Sequence, residues 1–457
     1  MFGKLKHIHF VGIGGSGMSG IAMILKNMGY DVSGSDVNKT ALTENLSSKG
    51  ISIYYNHDAK NCLGASVVVY STAIDKDNPE IKYALENKVP VIPRAEMLAE
   101  LMRMKFSIAI SGTHGKTTVT SLIGAILEQA ELNPTVIIGG RVIGTDTGAK
   151  LGQSEYLVAE ADESDRSFLL LYPTIAVVTN IEREHLDFYK NISDIKRSFI
   201  QFVNKTPFFG TIILGIDCNV VRKIIPMTKR EIITFGIRKD AQVRAEKIKL
   251  SDFHSIFRLR YNGQSYDFKI NLPGRHNIKN ALAAICVGLK LEIPLPVISK
   301  ALENFSGVHR RLEKKGEKRG IIIFDDYGHH PTEIKATLSA LRNAYPDRRI
   351  ITIFQPHRYT RTKFLAKQFG NAFDLSDLTI ITKIYSASEP PIPGVTSKLI
   401  TDSINTKRKA YRQEALLLEN FEEIKDFIMN NVKSDDVIIT LGAGNIWHVG
   451  EDLLKLL

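Results

Sequence analysis

The stretch Phe106-Ser107-Ile108-Ala109-Ile110-Ser111-Gly112-Thr113-His114-Gly115-Lys116-Thr117-Thr118 decides how this chain is built. Its first five residues form an apolar run of strand type, and residues 119–124 continue as a helix. A strand, a glycine-bearing turn and a helix N-terminus present backbone N–H groups and a dipole to an anion. Lys116 adds a mobile positive charge, and Thr117 a hydroxyl suited to Mg²⁺. A regular Walker A would need a further glycine where Ile110 stands. The loop reads as a variant phosphate cradle, with a nucleoside triphosphate as its expected occupant.

The 457 residues are 44% hydrophobic and 24% charged, which suggests about three domains of ordinary size. The net charge of +11 is spread along the chain. Only Lys314-Lys315-Gly316-Glu317-Lys318-Arg319 forms a basic cluster, expected as a solvated loop. A basic balance suits nucleic acid or a site gathering polyanionic small substrates, and charge alone does not separate the two. No apolar run reaches the ~18 residues of a membrane span, and the N-terminus carries no signal-peptide pattern. Cys62, Cys218 and Cys286 lie far apart, so neither a disulfide framework nor a metal knuckle is indicated. The expected compartment is the cytoplasm.

Short strands alternate with helical patterns along the whole length, predicting parallel α/β sheets in three domains. Residues 1–105 form a Rossmann-like unit with strands at 7–13, 31–35, 67–70 and 89–92. Residues 106–307 form a central unit of P-loop ATPase type, with strands at 106–110, 135–138, 156–159, 175–179 and 211–214. This unit carries a β-rich extension over 231–270 and a helix over 278–289. Residues 308–457 form a second Rossmann-like unit with strands at 320–325, 349–354, 378–383 and 436–441. Ligands of such sheets bind beyond the carboxyl ends of the strands, where the chemically loaded residues of this chain fall.

Gly12-Ile13-Gly14-Gly15-Ser16-Gly17 follows the first strand, and Ser35-Asp36 ends the second, as in a dinucleotide fold. The same turn also fits any nucleotide diphosphate on a helix N-terminus. Glu160-Ala161-Asp162-Glu163-Ser164-Asp165 sets four carboxylates at a strand end, costly unless a cation such as Mg²⁺ gathers them; part of the run reads as solvated. His185, in Asn180-Ile181-Glu182-Arg183-Glu184-His185, stands beyond another strand end beside carboxylates, suggesting a metal or phosphate role over a structural one. Asp325-Asp326-Tyr327-Gly328-His329-His330 and Gln355-Pro356-His357-Arg358-Tyr359-Thr360-Arg361 end two more strands. Arginines there suit bidentate binding of carboxylate or phosphate, against local pairing within loops.

Residues 112–118, Glu160, Asn180 with His185, His276-Asn277 with Asn280, and Arg310-Arg311 follow the order of motifs in the Mur ligases. The chain resembles that family of ATP-dependent amide ligases of peptidoglycan synthesis over its full length. Within it, residues 12–20, 326–331 with Glu333, and 355–362 are similar to the branch that joins L-alanine to UDP-N-acetylmuramate. The nearest alternative is the branch that attaches a recycled tripeptide to the same sugar nucleotide.

The resemblance implies a carboxylate activated by ATP as an acyl phosphate and then captured by the amine of alanine. It implies Lys116, Glu160 and His185 as catalytic, with Thr117, Glu160 and His185 holding two Mg²⁺ ions. ATP would meet Gly112, Thr113, His114, Gly115, Lys116, Thr117, Thr118, Asn180, His276, Asn277, Asn280, Arg310 and Asp326. The sugar nucleotide and alanine would meet Gly12, Gly14, Gly15, Ser16, Gly17, Ser35, Asp36, His329, His330, Arg358 and Arg361. Residues 1–105 would bind the UDP-sugar, 106–307 ATP, and 308–457 would close over ATP and amino acid, in a monomer or weak homodimer. Several Mur ligases carry a carbamylated lysine after the His185 motif; the matching place here is apolar, and Lys196 is not assigned that role. An NAD-dependent dehydrogenase leaves Lys116, Glu160 and the third domain unused, and a nucleic-acid motor lacks a basic track.

Overall fold

The computed structural model describes residues 6–71, 73–139, 149–185, 188–251, 253–407 and 414–457. Three sheets organise them. In the first, β1 (His7–Val11), β2 (Asp31–Ser35), β3 (Ser52–Tyr54), β4 (Val67–Tyr70) and β5 (Val91–Pro93) are all parallel, in the order β3-β2-β1-β4-β5. The chain turns to opposite sides of β1 there, which opens a crevice beyond its carboxyl end.

The second sheet begins with β6 (Phe106–Ser111), β7 (Thr135–Ile137), β8 (Ala149–Lys150), β9 (Tyr156–Glu160), β10 (Ile175–Val178), β11 (Thr211–Gly215) and β12 (Glu231–Gly236). Their order is β12-β11-β10-β6-β9-β7-β8, parallel except for β8. Strand β13 (Val243–Ser251) pairs with β12 through Val243 and Arg244, then runs on beside the antiparallel hairpin of β14 (His254–Tyr261) and β15 (Gln264–Ile270). The inner strands are unbroken apolar runs because helices cover both faces: Ile108, Ala109, Ile110, Val158 and all of β10 are buried.

The third sheet comprises β16 (Glu313–Lys318), β17 (Ile321–Asp326), β18 (Ile350–Phe354), β19 (Leu378–Ile381), β20 (Leu416–Leu417) and β21 (Val437–Leu441), in the order β16-β17-β21-β18-β19-β20. Alternation along the strands splits its core into two layers. Phe324, Phe354 and Ile439 pack with Ile334 and Phe369 on one side, while Ile323, Ile353 and Ile438 pack with Ile424 and Leu453 on the other.

The three-domain α/β organisation is thus as expected, with two corrections. The sheets are not purely parallel, since β8, β15 and β16 run antiparallel to their neighbours. The basic cluster 314–319 is no loop: most of it lies in the edge strand β16, with a bulge between Lys314 and Gly316. An edge strand needs only one paired side, so its charged side chains stay solvated while its backbone bonds to β17.

The residues group into two compact units: Met1–Glu182, Ser193–Arg244 and Asn280–Phe305 in one, Arg183–Ile192, Ala245–Lys279 and Ser306–Leu457 in the other. In the first unit, Phe168 is fully buried, stacked on Phe202 at 5.0 Å and edge-on to Phe199 at 5.2 Å, both on the helix Ile192–Val203. That helix turns Ile195, Phe199 and Phe202 inward, and Lys196 is half-buried. Phe168→Ala is expected to cost about 3–5 kcal/mol of stability, read as a lower urea midpoint for this unit.

Candidate active site

In the first unit, the loop after β1 is tied to the end of β2. Gly12 and Ile13 N–H both donate to Ser35 O, at 2.9 and 3.0 Å, and Gly14 N–H donates to Asp36 Oδ2 at 2.9 Å. The helix Ser16–Asn27 starts directly beyond, with Gly15 as its cap and no side chain closing its N-terminus. Arg94, at the start of the helix Arg94–Arg103, comes so near that a Cβ on Gly17 would stand 2.7 Å from its Nη1. A cation and a helix N-terminus without a side-chain cap thus face one glycine turn, an arrangement that suits a diphosphate.

Beneath this turn lies a buried polar network. Ser35 Oγ donates to Glu80 Oε2 at 2.6 Å, Asn61 Nδ2 donates to Oε1 at 2.8 Å, and His57 Nδ1 lies 2.9 Å from Oε2. His9 Nε2 lies 3.4 Å from Oε1, and His9 Nδ1 contacts Ser33 Oγ at 2.7 Å. Burial alone would raise the Glu80 pKa, but the bonds from His9, Ser35, Asn61 and His57 outweigh it and hold the carboxyl below its usual range.

The loop after β6 is held by its neighbour across the sheet. Thr113 N–H donates to Asn180 O at 3.1 Å, His114 N–H to Asn180 Oδ1 at 2.9 Å, and Asn180 Nδ2 donates to His114 O at 2.9 Å. Gly115 caps the helix Lys116–Gln129 at φ +87°, where a Cβ would come within 2.5 Å of Asn280 Oδ1. Both the backbone sign and this approach require glycine. Lys116 Nζ donates to Gly112 O at 2.7 Å and to both oxygens of Glu163, at 2.9 and 2.8 Å. Burial pushes the Lys116 ammonium toward the neutral form, but Glu163 and Asp162 overcome this and leave its pKa raised. Glu160 ends β9, where Oε1 accepts from Gly139 N–H at 2.9 Å, and Thr117 and Thr118 are buried on the helix.

In the second unit, Arg361 Nε donates to Glu184 Oε1 at 2.8 Å, and its Nη1 meets His357 O at 3.0 Å and Nδ1 at 2.9 Å. His330 Nε2 lies 3.6 Å from Glu184 Oε2. Burial alone would raise the Glu184 pKa, but Arg361, His330 and His329 hold it down at about 2. His330 caps the helix Pro331–Ala344 reciprocally with Glu333, whose Oε2 accepts from His329 N–H at 2.9 Å and His330 N–H at 3.1 Å. Asp326 accepts from Gly328 N–H at 2.7 Å and Leu312 N–H at 2.8 Å, and burial pushes it up to about 6. Arg310 donates to Asp325 Oδ2 at 3.0 Å and to Gly442 O at 2.6 Å. Arg183, His185, Arg358 and Arg361 line a small open cleft.

Models of three domains match the chain: the Mur ligase family catalytic domain over residues 7–106, the Mur ligase middle domain over 110–288, and the Mur ligase glutamate ligase domain over 310–444. A UDP-N-acetylmuramate–L-alanine ligase of Trichlorobacter lovleyi is 49% identical across all of both chains. The chain belongs to the Mur ligase family. It is an ATP-dependent ligase, like these relatives. The crystal structure of UDP-N-acetylmuramate–alanine ligase from Thermotoga maritima is 30% identical, with a TM-score of 0.83 over 99% of each chain. A murein peptide ligase from Psychrobacter arcticus, 24% identical with a TM-score of 0.73 over 98% of each, shares the fold.

Against the sequence expectations for a Mur ligase, the structure distributes the site residues unevenly. Gly12, Gly14, Gly15, Gly17, Ser35 and Asp36 meet around one turn, and Ser16 opens its helix with a side chain outside the described ones. The Ser35 hydroxyl is buried and committed to Glu80. Gly112, Thr113, His114, Gly115, Lys116, Thr117 and Thr118 meet with Asn180, and Asn280 abuts Gly115. Asn180 braces the loop backbone. Asn277 Nδ2 donates to Pro273 O at 2.8 Å, holding the turn before its helix. His276 sits in the second unit with Arg310, Asp326, His329, His330, Arg358 and Arg361, and burial lowers its pKa to about 4.

Sequence reasoning missed Glu80, Arg94, Glu163 as the partner of Lys116, and Glu184 as the partner of Arg361. The signal for Glu163 and Glu184 was their place within acidic runs at strand ends; nothing local marked Glu80 or Arg94. Thr117 and Glu160 belong to the first unit and His185 to the second. The hydroxyl of Thr117 and carboxylate of Glu160 are hard oxygen donors, the set that suits Mg²⁺.

Burial lowers His329 to about 3 and His357 to about 2, with Arg361 adding to both. With His276, three histidines stay neutral in the fold but take up protons on unfolding below about pH 6.5. Asp326 acts the other way, holding a proton in the fold up to about pH 6. The three histidines outnumber Asp326 and Asp325, whose pKa burial also raises, so unfolding binds protons and stability falls as pH drops from about 6.5 toward 4. Thermal melts should show this fall for the second unit, and His329→Gln should flatten it.

Proposed function

We propose that this Mur ligase joins L-alanine to the lactyl carboxylate of UDP-N-acetylmuramate through an acyl phosphate, consuming ATP. The observation carrying this reading is the likeness, 49% identity over all of both chains, to a ligase named for that pair of substrates. The carboxylate attacks the γ-phosphorus of ATP and ADP leaves; the amine of L-alanine then attacks the acyl carbon, and phosphate leaves with the amide formed.

The first step drives one anion against another, so the barrier is mainly electrostatic. Lys116, charged and aimed into the turn after β6, is the group that lowers it. A phosphate entering the turn takes over the ammonium's hydrogen bonds from Glu163 and Gly112. The N-terminal N–H groups of the helix Lys116–Gln129 bind the phosphate oxygens. Thr117, Glu160 and His185 would hold two Mg²⁺ ions, which would supply further charge neutralisation. Asn280, His276, Asn277, Arg310 and Asp326 receive the nucleotide.

The UDP group lies on the turn 12–17, where the absence of side chains at Gly14 and Gly17 lets Asp36 and Arg94 close on the turn, and Asp36 holds its shape. Arg94 pairs with its diphosphate. Ser35 contributes through the Glu80 network rather than by direct contact. His329, His330, Arg358 and Arg361 receive the lactyl carboxylate and alanine. Residues 1–105 bind the sugar nucleotide, 106–307 ATP, and 308–457 the amino acid, in a cytoplasmic monomer or weak homodimer.

Phosphate release from ATP with UDP-N-acetylmuramate is expected only on adding amino acid, fastest with L-alanine ahead of glycine or L-serine. Release independent of any amino acid overturns the reading, and preference for a tripeptide selects the murein peptide alternative. Lys116→Ala and Glu160→Ala should each lower kcat by about 10²–10³-fold with the fold intact by circular dichroism. Arg94→Ala should raise KM for the sugar nucleotide about tenfold with kcat little changed.

A further inference from the structure

The amino ends of β10 and β11, opposite the phosphate loop, carry an exposed aromatic cluster. Phe208 is 87% exposed, Phe209 62%, Tyr172 48% and Met227 47%. These belong to one edge of the first unit. Ile175 pairs with Thr211, and Lys205 Nζ stands over the Tyr172 ring, so the segment before β10 and the turn before β11 share this edge. Asn204 Nδ2 donates to Met227 O at 3.0 Å and brings that turn alongside. The Phe208 and Phe209 rings stand edge to face at 5.2 Å at the tip of a turn that follows Pro207. Exposure of this degree on adjacent large apolar residues is costly in water unless something covers them.

Cations surround the cluster. Lys205 Nζ stands 4.3 Å over the Tyr172 ring and the Arg103 guanidinium 5.5 Å from it. Arg230 Nε donates to Thr206 O at 2.8 Å, and Lys229 follows the Met227 turn. The carboxylates adjoining these elements are already paired: Glu100 with Arg103 at 2.6 Å and Glu231 with Lys290 at 2.6 Å. The whole chain is also basic, at +11.

We propose that this edge adsorbs to an anionic lipid surface, with Phe208 and Phe209 entering at headgroup depth and Lys205, Lys229 and Arg230 facing lipid phosphates. Protruding rings inside a ring of cations suit a deformable, negatively charged interface. A second copy of this chain fits poorly, because it would set cations against cations. The attachment is peripheral: among the described residues no helix is long and apolar enough to cross a membrane.

The full-length chain should sediment with phosphatidylglycerol vesicles and not with phosphatidylcholine vesicles, and about 0.5 M salt should release it. Phe208→Ser with Phe209→Ser should weaken that binding about tenfold or more, while amino-acid-dependent phosphate release in solution stays at the wild-type rate. Because Trp447 is the single tryptophan, Phe208→Trp adds a local reporter whose emission should shift to the blue on adding anionic vesicles. Absence of binding to phosphatidylglycerol, or binding that the double substitution leaves unchanged, overturns the proposal. So does a concentration-dependent dimer that the double substitution abolishes. Ligase activity is read separately, so neither result bears on the reaction assigned above.

Discussion

An ammonium group can be kept charged inside a protein only if something negative stands beside it, and the first unit is arranged around that requirement at Lys116. Burial disfavours its charge; Glu163, with two oxygens within 2.9 Å, restores it. The pair is also positioned to be exchanged. An anionic oxygen of a ligand would offer the ammonium the same kind of partner as Glu163 does. The surrounding features follow from keeping that exchange possible. Asn180 fixes the turn through three backbone bonds, and Asn280 closes on Gly115 where no side chain could fit.

The second unit repeats the theme with the signs reversed. Glu184 is the buried charge and Arg361 its partner, backed by His330. His329 and His357 are kept neutral by burial with Arg361 nearby, so they serve as hydrogen-bonding groups over the ordinary pH range. Arg361 therefore spends part of its donor set on the protein, on Glu184 and His357.

Much of this was legible in the sequence because the relevant signals are local. The run 106–111 followed by Gly112, Gly115 and Lys116 declares a strand, a turn and a helix without help from distant residues. The glycine turn at 12–17 with Asp36 does the same, and the hydrogen bond from Gly14 to Asp36 is the physical content of that spacing. What stayed hidden was pairing across long separations. Glu80 lies forty-five residues from Ser35 and Glu184 one hundred and seventy-seven from Arg361, and no periodicity connects them. Nor does charge density distinguish a solvated loop from a one-sided strand. Residues 314–318 look alike in both cases until a neighbour such as β17 supplies the pairing.

That strand has a bearing on how the molecule survives its own synthesis. A sheet that ends in an open row of amides invites a second chain to add to it. Here the exposed row carries Lys314, Lys315 and Lys318, bent by a bulge, and an incoming strand would have to desolvate those ammonium groups to bind. The segment expected as a solvated basic loop is then a guard against fibrous assembly, placed on the flank where the newly made sheet would otherwise be sticky.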